Sequence, residues 1–258
     1  MSNIYMQLSP GAARSIAPTV SHRLLQLARF VVVSVTGFFV FLLFLYKFAN
    51  PPGSMLMASD ALWGNEVAHV WVPLGSISPH LIRAVIVSED GKFCRHWGVD
   101  WQAIGYAIDQ AGLDGPRGAS TISMQTVKNL FLWNSRSYVR KALEIPMTYA
   151  MELTWSKSRI LEIYLNIAEW GPGVYGAEAA ARYHFGKSAA RLTADEAARL
   201  AAALPDPVGR DAGNPGHVTA RAASRVRRWM DGNPAVRCVL PASRDIKTPH
   251  VGRAPARP

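Results

Sequence analysis

Cysteine and charge are both scarce in this sequence of 258 residues. The two cysteines, Cys94 and Cys238, lack CxxC spacing and are too few for a zinc site or a disulfide framework, so one bridge or two free thiols remain open. Charged residues make up 18% of the chain and apolar residues 49%. Because this composition can bury a sizeable core, it excludes disorder as the dominant state and favours one medium domain with an anchor or tail.

Acidic residues are the scarcer of the two charge types. Asp and Glu together number 18, against 28 for Lys and Arg. A partner attracted to such a surface should be anionic, which admits nucleic acid, acidic lipid or a phosphorylated substrate. Net charge by itself does not choose among these three.

Residues 30–46 carry no charge and lie between Arg29 and Lys47. A helix of this length spans roughly 25 Å, close to the ~30 Å bilayer core. We therefore predict an uncleaved transmembrane helix over residues 30–49. A buried core helix is rarely apolar on every face, and a signal peptide cleaved after Ala49 would have Lys47 where a small residue is needed, so both alternatives are less favoured.

The charges that flank this helix predict its orientation. Residues 1–29 contain arginines and no acidic residue, which favours a cytoplasmic N-terminal segment by the positive-inside rule. The chain from about residue 50 onward is then expected in the periplasm of a bacterium, with the helix in the inner membrane. Nucleic acid is a poor partner there. Residues 50–74 begin with a Pro-rich stretch and are predicted to be a linker.

The rest of the chain has almost no stretch that alternates apolar and polar residues at period two; only residues 66–72 suggest a strand. A mainly α fold is predicted. Apolar spacing indicates helices over residues 80–88, 98–113, 120–131, 138–155, 159–170, 177–185 and 218–230.

Several residues predict where these helices begin and end. Ser120 is an N-cap candidate, Gly186 a C-cap candidate, and Thr193 with Glu196 forms a capping-box pattern. Pro146 and residues 156–158 are expected to interrupt the helical pattern around them. Residues 208–258 are predicted to be a basic C-terminal extension, partly disordered, with one helix.

Glu89 and Asp90 follow an apolar helical segment. A carboxylate at the edge of an apolar environment has a raised pKa and can act as a general acid or base near neutral pH. The alternative is that this pair only caps the next turn, and local sequence alone favours that alternative. The spacing of further motifs along the chain favours a catalytic role for Glu89 over capping alone.

Five motifs follow one another in order. They are E-D-x-x-F-x-x-H-x-G at residues 89–98, G-x-S-T-I-S-x-Q at 118–125 with V-K-N at 127–129, R-K-x-x-E at 140–144, I-L-E-I-Y-L-N at 160–166, and a Gly-rich and Ala-rich segment at 173–187. Together they resemble glycosyltransferase family 51, the peptidoglycan glycosyltransferases that polymerise lipid II. The resemblance covers residues 75–207, which we predict to be the glycosyltransferase domain.

The resemblance implies a mostly helical, lysozyme-like large lobe and a small jaw lobe that faces the membrane. It also implies a monofunctional biosynthetic transglycosylase. About fifty residues follow Pro207, S-x-x-K is absent, and Lys247 and Thr248 precede Pro249 where K-T-G needs Gly, so no penicillin-binding transpeptidase domain is expected.

The resemblance also assigns roles to individual residues. Glu89 matches the base that deprotonates the acceptor 4-hydroxyl during an inverting displacement. Lys128 and Arg136 match the pair that binds the donor's pyrophosphate, and Glu144 matches a second catalytic glutamate that orients cations, metal or sugar. Residues matching the polar wall of the substrate site are Ser120, Thr121, Gln125 and Asn129. No cofactor is expected to be required, while a Mg or Mn ion at the pyrophosphate stays open.

Other polar residues are expected to have supporting roles. Asp90 should accept bonds from nearby backbone donors, and His96 should brace the loop that positions Glu89. Glu169 and Glu178 flank the Gly-rich turn and are predicted to be supporting or surface residues. Without the family match, Arg140, Lys141 and Glu144 would be a surface salt-bridge ladder. The aromatic residues Trp101, Phe131 and Trp133 are expected either in the core or at the bilayer surface.

Two alternative functions are weighed against this one. A membrane-anchored glycosidase or lytic transglycosylase would act on the same polymer but needs no pyrophosphate site, so Lys128 and Arg136 argue against it. A non-catalytic scaffold explains the anchor but not two glutamates at motif positions. The expected partners are lipid II, the growing strand, membrane lipid and other cell-wall synthesis or division proteins.

Overall fold

The computed structural model describes residues 16–114, 119–133, 137–230 and 233–240. By its internal contacts the chain divides into two units, Met1–Phe48 and Ala49–Pro258. The first unit contains helix α1, Ile16–Phe48, which includes a stretch over residues 21–48 that is long and apolar enough to cross a membrane. This helix begins well before residue 30, where the predicted span starts.

The second unit is mainly helical, as predicted. Its helices are α2 (Met55–Leu62), α3 (Pro79–Glu89), α4 (Trp101–Asp114), α5 (Ile122–Phe131), α6 (Tyr138–Thr154), α7 (Lys157–Ile167), α8 (Ala177–Phe185), α9 (Ala194–Ala203) and α10 (His217–Met230). A small sheet accompanies them, with strands β1 (Ala68–His69), β2 (Glu169–Gly171) and β3 (Val174–Tyr175) in the order β1-β3-β2. Strand β3 pairs parallel with β1, which lies within the predicted strand region, and antiparallel with β2.

Two of the predicted helix ends are confirmed. Gly186 ends α8 in the left-handed conformation at φ 65°, and Thr193 with Glu196 forms a complete capping box on α9. The Ser120 prediction is wrong, because the N-cap of α5 is Thr121, whose Oγ accepts the Met124 amide at 3.1 Å. The predicted interruption at Pro146 is also wrong, since α6 continues through this residue.

Helix α3 lies in the middle of the core. It packs against α9 and α10, and Ile82, Val85 and Ile86 on it are at most 1% exposed. Helix α5 packs against α6 and α7. Because these contacts are close-packed, the backbone at the C-terminal end of α3 and in the N-terminal half of α5 is held in place, and it fixes the positions of the side chains there.

Elements on both sides of residues 75–207 belong to the same compact unit. On the N-terminal side, Ser54 caps α2 and Met57 is buried. On the C-terminal side, α10 buries its apolar face against α9 and α3, because Val226 and Met230 follow helical spacing. The predicted linker therefore contains a helix and a strand, and helix α10 of the C-terminal extension packs on the core.

Cys94 and Cys238 form a disulfide, which resolves the alternatives left open by the sequence. The bond joins the loop after α3 to the segment after α10, across a sequence separation of 144 residues. The loop that follows Glu89 is thereby tied covalently to the C-terminal part of the unit.

Candidate active site

Glu89 is the last residue of α3 and is half-buried. Its Oε2 accepts a hydrogen bond from Gln125 Nε2 at 3.0 Å, so α5 orients the carboxylate. Burial raises the pKa of Glu89, and the Asp90 charge adds to this, while the Gln125 bond and the Lys128 and Arg210 charges oppose it. A carboxyl group with a raised pKa that is held at one rotamer is suited to proton transfer near neutral pH.

The loop after Glu89 is organised by Asp90 and His96. Asp90 Oδ2 accepts the Ile122 amide at 3.0 Å, and its Oδ1 lies 2.8 Å from His96 Nε2. His96 Nδ1 accepts the Gly98 amide at 3.1 Å, so the proton is on Nε2 and points at Asp90. Gly98 has φ 83°, and a Cβ there would lie 2.5 Å from Thr148. The supporting roles predicted for Asp90 and His96 agree with these contacts.

A cavity of about 350 Å³ lies beside Gln125. Its polar wall comes from α5, α7 and β2, and its apolar wall comes from α2, the end of α5 and the loop after α9. The lining residues are Leu56, Gln125, Lys128, Asn129, Leu132, Trp133, Tyr164, Ala168, Glu169, Leu204, Pro205 and Pro207. Gln125 connects this cavity to Glu89, and it also accepts a hydrogen bond from the buried Tyr164 hydroxyl at 3.2 Å.

Cations surround one side of this site. Burial and the nearby Arg140 charge lower the pKa of Lys128, whereas Glu89 raises it. Burial lowers the pKa of Lys141 as well, and Arg140 and Lys128 contribute to the shift. Because Arg140 acts on both lysines and Lys128 acts on Lys141, the three cations together form a region of positive potential, which is suited to an anionic ligand.

Glu144 binds two of these cations. It accepts hydrogen bonds from Arg140 and from Lys141 Nζ, the latter at 2.9 Å, so the i,i+4 and i,i+3 pairs of a salt-bridge ladder are both present. Glu144 is only 2% exposed, so its carboxylate is buried, whereas the Lys141 side chain is 41% exposed; the ladder is therefore only partly a surface ladder. Lys141 also reaches the segment just before α5, donating to Ser120 Oγ at 3.0 Å.

The other predicted site residues differ in whether they line the cavity. Gln125, Lys128 and Asn129 share the cavity. Thr121 is buried, and its hydroxyl donates to the Gly98 carbonyl and caps α5, so it supports the site from behind. Arg136 lies outside the described residues.

Sequence reasoning missed two charged residues near the site. Glu169, expected to support or to lie on the surface, lines the cavity. Arg210, in the loop after α9, donates to the Ala202 carbonyl at 3.0 Å and acts electrostatically on Glu89. No local motif marks either position, because both reach the site only through long-range packing. Glu178, by contrast, is buried, pairs with Arg182 and accepts the Ala189 amide at 2.8 Å, so the surface position considered from the sequence is wrong for it.

The part of the chain that the structure describes contains no group of three or more His, Cys, Asp or Glu side chains placed to hold a metal ion. Both oxygens of Glu144 already accept hydrogen bonds from cations.

Comparison with known protein families identifies this arrangement. The family model described as Transglycosylase matches residues 57–231, a range that includes most of α2 and all of α10 and extends beyond residues 75–207 on both sides. The chain belongs to the transglycosylase family.

The names of individual relatives are more specific than the description of the family. The chain is 50% identical over 211 residues to a biosynthetic peptidoglycan transglycosylase of Brucella suis biovar 1, which covers 81% of this chain and 94% of the relative. It is 52% identical over 188 residues to the protein of the same name from Rhizobium meliloti, covering 72% of this chain and 79% of the relative. A third such protein, from Rhodospirillum centenum, is 52% identical over 187 residues, covering 72% of this chain and 81% of the relative.

Proposed function

We propose that this protein is a peptidoglycan glycosyltransferase that polymerises lipid II into linear β-1,4 glycan strands and releases undecaprenyl pyrophosphate. The names of its relatives support the activity. The observation that carries the chemistry is the placement of Glu89, a carboxylate with a raised pKa, beside a cavity that also contains Lys128. Such a site offers a base to one reactant and a cation to the other.

The reaction is a single displacement with inversion. Glu89 takes the proton from the 4-hydroxyl of the acceptor's N-acetylglucosamine as that oxygen attacks the donor's anomeric carbon. The α-linked lipid pyrophosphate leaves from the opposite face, and a β-1,4 bond forms. Gln125 supports the step by holding Glu89 through the 3.0 Å hydrogen bond.

The departing pyrophosphate requires cations that are placed before the reaction begins. Lys128 lines the cavity, and Arg140 and Lys141 stand behind it on α6. Glu144 orients these two cations by binding both. We include Arg136 in the pyrophosphate site on the family resemblance alone. No cofactor is required in this proposal, and a Mg or Mn ion at the pyrophosphate would act in addition to these side chains.

The function is tested by incubating the detergent-solubilised protein with labelled lipid II and, separately, with intact glycan polymer. We expect products longer than the starting disaccharide from lipid II, resolved by length, and no cleavage of the polymer. Cleavage of the polymer without use of lipid II would instead support the glycosidase alternative. Binding of either without reaction would support the scaffold.

We also propose that the second unit has the lysozyme-like large lobe and the membrane-facing jaw lobe of its family. Large aromatic side chains on its surface support contact with lipid, since Trp101 is 56% exposed and Trp133 is 47% exposed. Membrane lipid is then a partner together with lipid II and the growing strand. Other cell-wall synthesis or division proteins are further proposed partners.

Helix α1 anchors the protein in the inner membrane with its N-terminus in the cytoplasm and the catalytic unit in the periplasm. The disulfide between Cys94 and Cys238 supports this location, because such bonds persist in oxidising compartments. A periplasmic reporter fused after Pro258 is expected to be active, and a cytoplasmic reporter fused at the same position is expected to be inactive. Paired fusions to a periplasmic and a cytoplasmic reporter measure this. Activity of the cytoplasmic reporter would contradict the topology.

A further inference from the structure

Glu169 is a carboxylate that the mechanism above does not use, although it lines the cavity together with Lys128 and Gln125. It begins strand β2, and the Gly173 amide donates a hydrogen bond to its carboxylate. Gly173 has φ 68°, and a Cβ there would lie 2.3 Å from the Glu66 carbonyl oxygen. The turn between β2 and β3 thus requires glycine and holds the Glu169 carboxylate in place.

The surroundings of Glu169 leave its carboxylate available to a ligand. No salt bridge joins it to a cation among the residues that the structure describes. Its acidic neighbour Asp60 is engaged elsewhere, accepting hydrogen bonds from the Tyr175 hydroxyl at 2.5 Å and from Asn65 at 3.2 Å. Burial, followed by the Asp60 charge, raises the pKa of Glu169, as expected for a carboxylate with no cation beside it.

The charge on this carboxylate restricts which part of the substrate can lie against it. A pyrophosphate would be repelled, so Lys128 and Glu169 must serve different portions of the substrates. An uncharged sugar donates hydrogen bonds from its hydroxyl and acetamido groups, and a carboxylate accepts such bonds strongly. The amides of Gln125 and Asn129 and the half-exposed indole of Trp133 complete a lining suited to a saccharide.

Two sugars meet in the reaction, and they differ in charge. The donor's reacting sugar is bonded directly to its pyrophosphate. The acceptor's reacting sugar, N-acetylglucosamine, is separated from its own pyrophosphate by another sugar residue. The acceptor sugar is therefore the one that a carboxylate tolerates, and its 4-hydroxyl must also reach Glu89, which Gln125 connects to this cavity.

We propose that Glu169 binds the acceptor's N-acetylglucosamine by accepting a hydrogen bond from a ring hydroxyl or from the acetamido N–H, and thereby directs the 4-hydroxyl toward Glu89. This inference rests on the proposed function. It assigns to Glu169 a role in substrate binding and leaves proton transfer to Glu89 and the pyrophosphate to Lys128.

The test uses the full-length protein and the variants Glu169→Gln and Glu169→Ala. With a preformed lipid-linked oligosaccharide as saturating donor, the KM for lipid II as acceptor should rise about fivefold for Gln and about tenfold for Ala, since a charge-assisted hydrogen bond is weakened and then lost. Affinity for moenomycin, the family's donor-site inhibitor, should stay within about twofold of native, because the pyrophosphate cations are untouched. Glu66→Gln is the matched control, since Glu66 is exposed and does not line the cavity.

An unchanged acceptor KM in Glu169→Ala, with native thermal stability, would overturn the proposal. An equal loss of moenomycin affinity would also overturn it by placing Glu169 on the donor side. If Glu169→Ala is unstable, Glu169→Asp keeps the charge and shortens the side chain, and it should give an intermediate rise in acceptor KM. The native protein is measured first. If it does not polymerise lipid II, the proposed function is refuted, and this outcome is distinct from a failure of the Glu169 proposal.

Discussion

Glu89→Gln is expected to lower the rate of glycan polymerisation at least about 100-fold, the usual scale of general-base catalysis. Glutamine keeps the size of the side chain and can still contact Gln125, but it cannot accept the proton of the acceptor hydroxyl. The measurement is turnover of labelled lipid II at saturating concentration. Thermal unfolding checks that the variant is folded, and Glu66→Gln provides an exposed acid as control.

The pH dependence of the native enzyme follows from the same residue. The base works only when ionised, so turnover should rise with pH as Glu89 loses its proton. Because burial raises its pKa, this rise should occur at a higher pH than for an exposed glutamate. Near-native turnover by a folded Glu89→Gln protein would show that Glu89 is not the base. A native pH profile in which turnover rises over the pH range where an exposed glutamate ionises would contradict the effect of burial on the Glu89 pKa.

Lys128→Ala is expected to reduce turnover by about 100-fold or more, the scale observed when a preorganised electrostatic group is removed from an active site. Negative charge grows on the pyrophosphate as its bond to the sugar breaks, so the cation acts more strongly in the transition state than in the ground state. Loss of kcat should therefore accompany loss of affinity. Moenomycin should also bind less well, as measured by fluorescence anisotropy.

Lys187→Ala is a matched control for this variant, because Lys187 pairs with Glu196 at 2.7 Å and does not line the cavity. Arg136→Lys tests the second predicted cation, since it keeps the charge but removes the bidentate guanidinium and should still lower turnover. If Lys128→Ala and Arg136→Ala both polymerise lipid II and bind moenomycin like the native protein, the pyrophosphate assignment is wrong. The glycosidase alternative would then regain support.

Much of this protein could be predicted because its signals are local or follow a fixed order. Helical spacing predicted the mainly α fold, and the capping box at Thr193 depends on residues within one turn. The placement of Glu89 at the end of an apolar helix also follows from local sequence. Motif order, through the family resemblance, singled out Gln125, Lys128 and Asn129, and these three residues do share one cavity.

Predictions failed or stayed open where several local choices are nearly equal in energy. Ser120 and Thr121 are both good N-cap residues, and the choice fell on Thr121 because its hydroxyl also reaches the Gly98 carbonyl, while Ser120 is bound by Lys141. Pro146 removes only one helical hydrogen bond, which the packing of α6 against α5 can offset.

The amino-acid sequence by itself determined the helical class, the apolar N-terminal helix and the family, and it predicted Glu89 as the base. Tertiary structure alone decided that Cys94 pairs with Cys238, that Glu144 is buried, and that Glu169 and Arg210 reach the site. The physical reason is the range of the interactions. Caps and helical periodicity depend on neighbours within a few residues, whereas burial, electrostatic coupling and cavity lining depend on which distant segments pack together, and no local pattern specifies that.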